Sequence, residues 1–206
     1  MGNNQYLEYL KRPFDLFLSF FGLAAFSPIL LIVAAMIVIR EGKPILFRQK
    51  RVGRNGVIFE VFKFRTMKTV MDENTITVAG DPRITPLGSF LRRYKLDELP
   101  QLWNVLKGEM SFVGPRPDVP GYMDKLTGGE RVLLTLRPGI TSPATLAFRN
   151  EEEILASVPD PEKYNYEVIF PEKVRLNMQY FDKASLLYDL KLILITVLNW
   201  RWDPDG

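Results

Sequence analysis

Between Leu16 and Ile39 the chain runs 24 residues without a charged side chain. No other feature limits the fold so severely. A straight helix of that length reaches about 36 Å, enough to cross a hydrocarbon core of about 30 Å. The run is longer than the apolar core of a secretory signal. No small-residue cleavage site leads from it into a polar start, so it reads as a resident membrane element. Ser27-Pro28 lies near its middle. Pro28 has no N–H, and its ring crowds the carbonyl of Ala24, which predicts a bend or a break. The Ser27 hydroxyl is placed to take up a freed carbonyl. Lys11 and Arg12 precede the run; Arg40, Lys43, Arg48, Lys50 and Arg51 follow it. Cations on both flanks give a single crossing little orientation, and they suit a helix that dips in and returns. From the residues alone both geometries stand.

The net charge of +3 conceals a division. Residues 1–39 are neutral, residues 40–95 carry +8, and residues 96–206 carry −5. A basic stretch beside a membrane segment calls for anionic partners, lipid phosphates before nucleic acid. Phe47, Phe59, Phe62 and Phe64 are the aromatics a nucleic-acid reading would need, but they alternate in an expected hairpin and are read as packing inward. Nucleic acid is therefore not expected as a partner. Cys and His are both absent. That excludes Ser-His-Asp and Cys-His catalysis, His-ligated zinc and disulfides. Any chemistry must come from carboxylates, Lys, Tyr or an oxygen-ligated metal such as Mg²⁺.

Past the apolar run, Ile45 to Phe64 reads as a β-hairpin turned at Asn55-Gly56. Lys63 and Arg65 are expected on one face of its second strand and Phe64 on the other. Residues 69–86 read as a loop, and Leu87 to Tyr94 as a short helix. Asp97 stands as the N-cap of a helix ended by Gly108, with Leu99, Leu102, Trp103 and Leu106 on one apolar face. A helix near Tyr122 to Leu136 and a short one opened by Glu151 to Glu153 follow. Ser185 caps a helix over Leu186 to Trp200. Asp189 and Lys191 make a crossing there improbable, which leaves an interfacial anchor with Trp200 and Trp202 or a buried core helix. The fold class expected is α+β, mainly α with one small hairpin.

Asp97-Glu98 is the first constellation that carries chemistry. Taken alone it is a common helix start. Arg92, Arg93 and Lys95 precede it, however, and Gly114-Pro115-Arg116-Pro117 follows, with Arg116 held between two prolines. Arg137 in Arg137-Pro138-Gly139 repeats the pattern. Several cations fixed in Pro/Gly loops around two carboxylates point to phosphate chemistry. No Walker or dinucleotide glycine loop is present.

These residues resemble the catalytic domain of the bacterial monotopic phosphoglycosyl transferases, the bacterial sugar transferases, in a minimal form. The likeness rests on Lys11-Arg12 with Asp15, on Ser27-Pro28 and on Lys63-Phe64-Arg65-Thr66-Met67. It continues from Leu96-Asp97-Glu98-Leu99-Pro100-Gln101-Leu102 through Asn104-Val105-Leu106-Lys107-Gly108 and Met110-Ser111-Phe112 to Gly114-Pro115-Arg116-Pro117. Arg137-Pro138-Gly139-Ile140-Thr141 and Asp189-Leu190-Lys191 complete it. It implies transfer of a sugar-1-phosphate from a UDP-sugar to polyprenyl (undecaprenyl) phosphate with release of UMP, as the first membrane step of a glycoconjugate or exopolysaccharide pathway. Asp97 is implied as the nucleophile of a ping-pong reaction and as a Mg²⁺ ligand, with Glu98 beside it. Lys63, Arg65, Arg92, Arg116 and Arg137 are expected to meet phosphates.

The resemblance also implies a monotopic protein on the cytoplasmic face of the bacterial inner membrane. Residues 1–40 form its re-entrant helix, broken at Ser27-Pro28. Residues 41–206 form a cytoplasmic catalytic domain with interfacial amphipathic helices. The sugar and the oligomeric state, including a homo-oligomer, are left open. After Thr141 the chain departs from the family's common pattern with Ser142-Pro143-Ala144-Thr145, so no later residue is assigned as a ligand. The non-enzymatic alternative is a membrane-tethered basic module that binds anionic lipid or an acidic partner.

Overall fold

The computed structural model describes residues 5–68 and 80–202. Most of the loop expected over residues 69–86 therefore lies outside the described residues. A π-helical turn, Tyr6–Leu10, leads into α1, Lys11–Glu41. The helix passes through Pro28 without interruption. Ser27 Oγ donates to the Ala24 carbonyl at 2.8 Å, and that carbonyl is the one left without a donor by the missing N–H of Pro28. The expected bend or break at Ser27-Pro28 is thus no gap in the helix: the backbone stays helical through it.

α1 is packed at both ends and bare in the middle. Lys11, Asp15 and Ser19 are buried near its start and Val33 and Ile37 near its end, while every residue from 24 to 29 is exposed. At the first arm, Lys11 Nζ donates to the buried Asp189 carboxylate, which also accepts from Tyr6 and Tyr180 hydroxyls. Asp15 accepts from Ser111 Oγ and from the Phe112 N–H, each at 3.1 Å. At the second arm, Val33 and Ile37 join Phe64, Leu87 and Leu91 in one apolar cluster.

The hairpin forms as expected. β1, Leu46–Val52, pairs antiparallel with β2, Ile58–Phe64, in the register Phe47↔Lys63, Gln49↔Val61 and Arg51↔Phe59. Asn55 and Gly56 both take positive φ in the turn, which Asn and Gly tolerate best. The four phenylalanines do not all pack inward. Phe64 is buried, but Phe47 lies on the opposite face and is 47% exposed.

α2, Pro86–Arg93, begins at Thr85, whose hydroxyl accepts from the Gly88 N–H. Lys95 then takes a left-handed conformation and throws Leu96–Glu98 into a tight 3₁₀ turn. Asp97 is therefore not an N-cap: α3, Gln101–Lys107, starts after Pro100 with no side-chain cap. Its buried face is Gln101, Leu102, Asn104 and Val105, while Trp103 is exposed. Asn104 can be buried because its side chain is bonded to β2 and to Glu109. It accepts from Phe62 N–H at 3.1 Å and donates to the Glu60 carbonyl at 2.7 Å.

β3, Ser111–Val113, runs parallel to β4, Gly139–Thr141. Gly114 and Gly139 lie back to back: a Cβ on Gly139 would fall 2.2 Å from the Gly114 nitrogen. Only two glycines let the Arg116 and Arg137 loops approach so closely. The helix expected over 122–136 is instead a pair of 3₁₀ segments, Met123–Lys125 and Gly128–Thr135. Leu126 and Thr127 between them have extended ψ, 139° and 171°, which keeps the two from joining into one helix. Four short or medium helices follow: α4, Pro143–Ala147; α5, Glu151–Ala156; α6, Pro161–Tyr164; and α7, Phe170–Lys183. α8, Leu186–Val197, is capped by Ser185 as expected. Its apolar residues divide between the core and the surface. Leu192 and Ile195 enter the main core with Val113, Leu133 and Tyr180, while Leu187 is 80% exposed and Trp200, just beyond, 58%.

Candidate active site

The 3₁₀ turn carrying Asp97 and Glu98 sits over the end of β2 and beside the Arg116 loop. Glu98 Oε1 accepts from Lys63 Nζ at 2.8 Å and from Arg116 Nη2 at 2.9 Å. Burial alone would push the Glu98 carboxyl up. The charges of Lys63, Arg116 and Lys95 overcome it and hold Glu98 well below the ordinary carboxylate range. Glu98 in turn raises Arg116 above its usual value. Lys63 is moved the other way: burial lowers it, against the pull of Glu98.

Asp97 is different in kind. It is 7% exposed, and its Oδ1 is shielded from solvent with no hydrogen-bond partner. Burial pushes its carboxyl up and the neighbouring Glu98 charge adds to that, while Lys63, Lys95 and Arg92 oppose. Two adjacent carboxylates thus have opposite characters. Glu98 is pinned and ionised, and Asp97 has one buried oxygen without a hydrogen bond. Split environments of this kind are a mark of assigned chemical roles.

Next to this pair a cleft opens across the hairpin. Its floor is the face that carries Phe47, Gln49 and Arg51 on β1 with Val61 and Lys63 on β2, and Arg116 forms part of its wall. Arg51 donates to the Pro117 carbonyl at 3.1 Å, which ties the hairpin to the Arg116 loop. Burial lowers its pKa to about 10, with the Arg116 charge assisting. Asp118, one step farther out, is raised by burial to about 6, opposed by Lys173 and Arg51.

Of the residues expected to meet phosphate, the structure gathers Lys63, Arg92 and Arg116 around Asp97-Glu98. Arg92 acts on Asp97 through its charge and is steadied by Thr66 Oγ1 at 3.0 Å and Glu152 at 3.1 Å. Two others stand apart. Arg65 lies past the end of β2 and donates to the carbonyls of Glu41, Gly42 and Lys43, so it closes the C-terminus of α1. Arg137 donates to the Gly108 carbonyl at 2.9 Å, beyond the end of α3. Arg12 donates to the last carbonyls of the same helix, at Val105 and Leu106. Arg65 and Arg137 therefore bind helix ends rather than the carboxylate pair. Arg51 is the residue the motif reading did not bring to the site, and Lys95, named there beside the pair, acts on both carboxylates through its charge. The two-residue alternation of β1 places Arg51 on the Phe47 face opposite the Lys63 strand, and that was the available signal.

With this geometry in view, comparison with known proteins gives the class: the chain belongs to the bacterial sugar transferase family, whose model matches residues 6–202. It is 35% identical over 196 residues to the UDP-glucose:undecaprenyl-phosphate glucose-1-phosphate transferase of Escherichia coli (strain K12), a match covering 92% of this chain and 40% of that protein. It is 37% identical over 171 residues to galactosyl transferase CpsE of Streptococcus agalactiae serotype III (strain NEM316), covering 77% and 35%. Over 199 residues it is 35% identical to the exopolysaccharide production protein PSS of Rhizobium leguminosarum bv. phaseoli, covering 92% and 94%. The chain thus spans well under half the length of the first two relatives and nearly all of the third.

Proposed function

We propose that this chain transfers a sugar-1-phosphate from a UDP-sugar to polyprenyl phosphate at the cytoplasmic membrane face and releases UMP. One observation carries the reading: a buried, unpartnered Asp97 oxygen lies beside a Glu98 fixed by Lys63 and Arg116. Asp97 attacks the sugar-bearing phosphorus. The bond to the bridging oxygen breaks, and UMP leaves with that oxygen and its electron pair. An oxygen of the polyprenyl phosphate then attacks the phospho-aspartate and returns Asp97 as a carboxylate. A carboxylate oxygen with no hydrogen bond to shed is well suited to the first attack. Lys63, Arg116 and Arg51 offset the like charges that meet there.

Among the described residues no three acidic groups cluster as a metal cage. The buried Asp97 oxygen without a partner suits an ion that takes one protein carboxylate and draws its other oxygens from elsewhere. Mg²⁺ does this, since it usually keeps one or two carboxylates beside phosphates and water. The free Asp97 oxygen is the protein ligand it would use, and when bound the ion would neutralise charge on the diphosphate.

The membrane reading is supported by the two packed arms of α1. One domain holds Lys11 and Asp15 at one end and Val33 and Ile37 at the other, and the exposed stretch between them is centred on Ser27-Pro28. Ends that both rest on one domain favour a helix that bends at Pro28 and returns over one that crosses. The outward apolar side chains of α8 and Trp200 then suit the interface. The native chain has no Cys, so single cysteines at Glu8 and Glu60 report topology cleanly. Both should react with an impermeant reagent from the same side; labelling from opposite sides would reject the dip.

The reaction itself is tested by UMP release across a panel of UDP-sugars with polyprenyl phosphate. At least one donor should support turnover, and a chelator should stop it. No UMP from any donor would return the chain to a basic membrane-tethered module.

A further inference from the structure

A second pocket lies away from the carboxylate pair, where α1 ends. Arg40, Glu41, Arg65, Met67, Lys68 and Leu87 line most of an open space of ≈ 630 Å³. Two polar atoms here are buried without partners: Arg65 Nε and Glu41 Oε2. The rest of the Arg65 guanidinium is spent on the carbonyls of residues 41–43. A buried donor and a buried acceptor in one pocket that do not satisfy each other each require an outside partner, because an unmet buried polar group is costly. The donor side is cationic and is reinforced by Arg40 and Lys68, two exposed side chains. The acceptor side is one carboxylate. The ligand that answers both is a molecule with an anionic phosphate and an N–H-bearing cation a few bonds away.

The position narrows the choice. Ile39, the residue before Arg40, is apolar and 82% exposed, so the pocket opens at the level where the apolar helix ends. Met67, Pro86 and Leu87 add apolar wall beneath the charges. We propose that this pocket binds the headgroup of an aminophospholipid, with its phosphate against Arg40, Lys68 and Arg65 Nε and its ammonium against Glu41. The headgroup clamps the returning end of α1 at the lipid surface. The proposal rests on the dipping reading of α1 for the level of the pocket, but the chemistry of the pocket does not depend on it.

The test uses the full chain in detergent and dihexanoyl lipids below their micelle concentration, with binding followed by calorimetry. Dihexanoylphosphatidylethanolamine should bind roughly tenfold more tightly than the choline lipid, which has no N–H, or the glycerol lipid, which has no cation. Glu41→Gln should remove the preference over the glycerol lipid. The double variant Arg40→Gln with Lys68→Gln should weaken all three. Equal affinity of the native chain for the three lipids would overturn the proposal, as would a preference that survives Glu41→Gln. Displacement of the ethanolamine lipid by polyprenyl phosphate, abolished in the double variant, would assign the pocket to the acceptor and also overturn it. UMP release is read separately, so failure of the lipid experiment leaves the transferase reading untouched, and the reverse holds too.

Discussion

Asp97→Asn should cut UMP release by at least about 10³-fold while the protein remains folded. An amide keeps the shape of the carboxylate but cannot attack phosphorus. Folding should survive because Asp97 Oδ1 accepts no hydrogen bond and the residue caps no helix. Burial and Glu98 raise its carboxyl in the folded state. At neutral pH the ionised form is therefore a small burden on stability, and removing the charge should leave the melting temperature unchanged or higher. Two readings check the role. Intact mass of the native protein given donor alone should rise by one sugar phosphate, and the variant should show no rise. UMP release by a clean Asp97→Asn preparation at the native rate would remove Asp97 from the chemistry.

Much of this site was legible because short motifs carry local physics. Asn55-Gly56 foretold the turn, since both residues accept positive φ. Ser185 foretold the start of α8, and Ser27-Pro28 foretold both the lost N–H and the hydroxyl that answers it. What failed was decided by tertiary packing. Asp97 looks like an N-cap because Asp often is one, yet Lys95 in the left-handed region and Pro100 move the start of α3 downstream. Trp103 fits an apolar stripe by spacing, but Asn104 wins the buried position by bonding to the edge of β2. Arginines are the least readable class. Arg12 and Arg137 each precede a proline as Arg116 does, and Arg65 follows a strand of the site, yet each ends on carbonyls at a helix terminus. Only the fold decides whether a guanidinium meets a carbonyl, a carboxylate or a substrate.

Glu98→Gln tests the partner residue, and its effects have a sign that a merely structural role would not produce. Glu98 holds Lys63 and Arg116 through one oxygen. Its loss leaves two cations facing each other across a neutral amide. Lys63 is a quarter exposed and Arg116 more than a third. The stability cost should therefore be about 1–3 kcal/mol, below that of breaking a wholly buried pair. The rate at neutral pH should fall by roughly 10²-fold as Arg116 loses its fixed position. The pH profile is the sharper reading. Burial keeps Asp97 raised, but the Glu98 charge that adds to it is gone, so the acid limb of UMP release should move to lower pH. Burial lowers Lys63 and Glu98 opposes that lowering, so without Glu98 the amine gives up its proton sooner and the alkaline limb should also move down. Both limbs shifting in the same direction is the expected outcome, measured as UMP release against pH for the native chain and the variant at saturating donor. A profile that keeps both limbs in place while the rate falls would show that Glu98 shapes the loop without setting the charge state of Asp97 or Lys63.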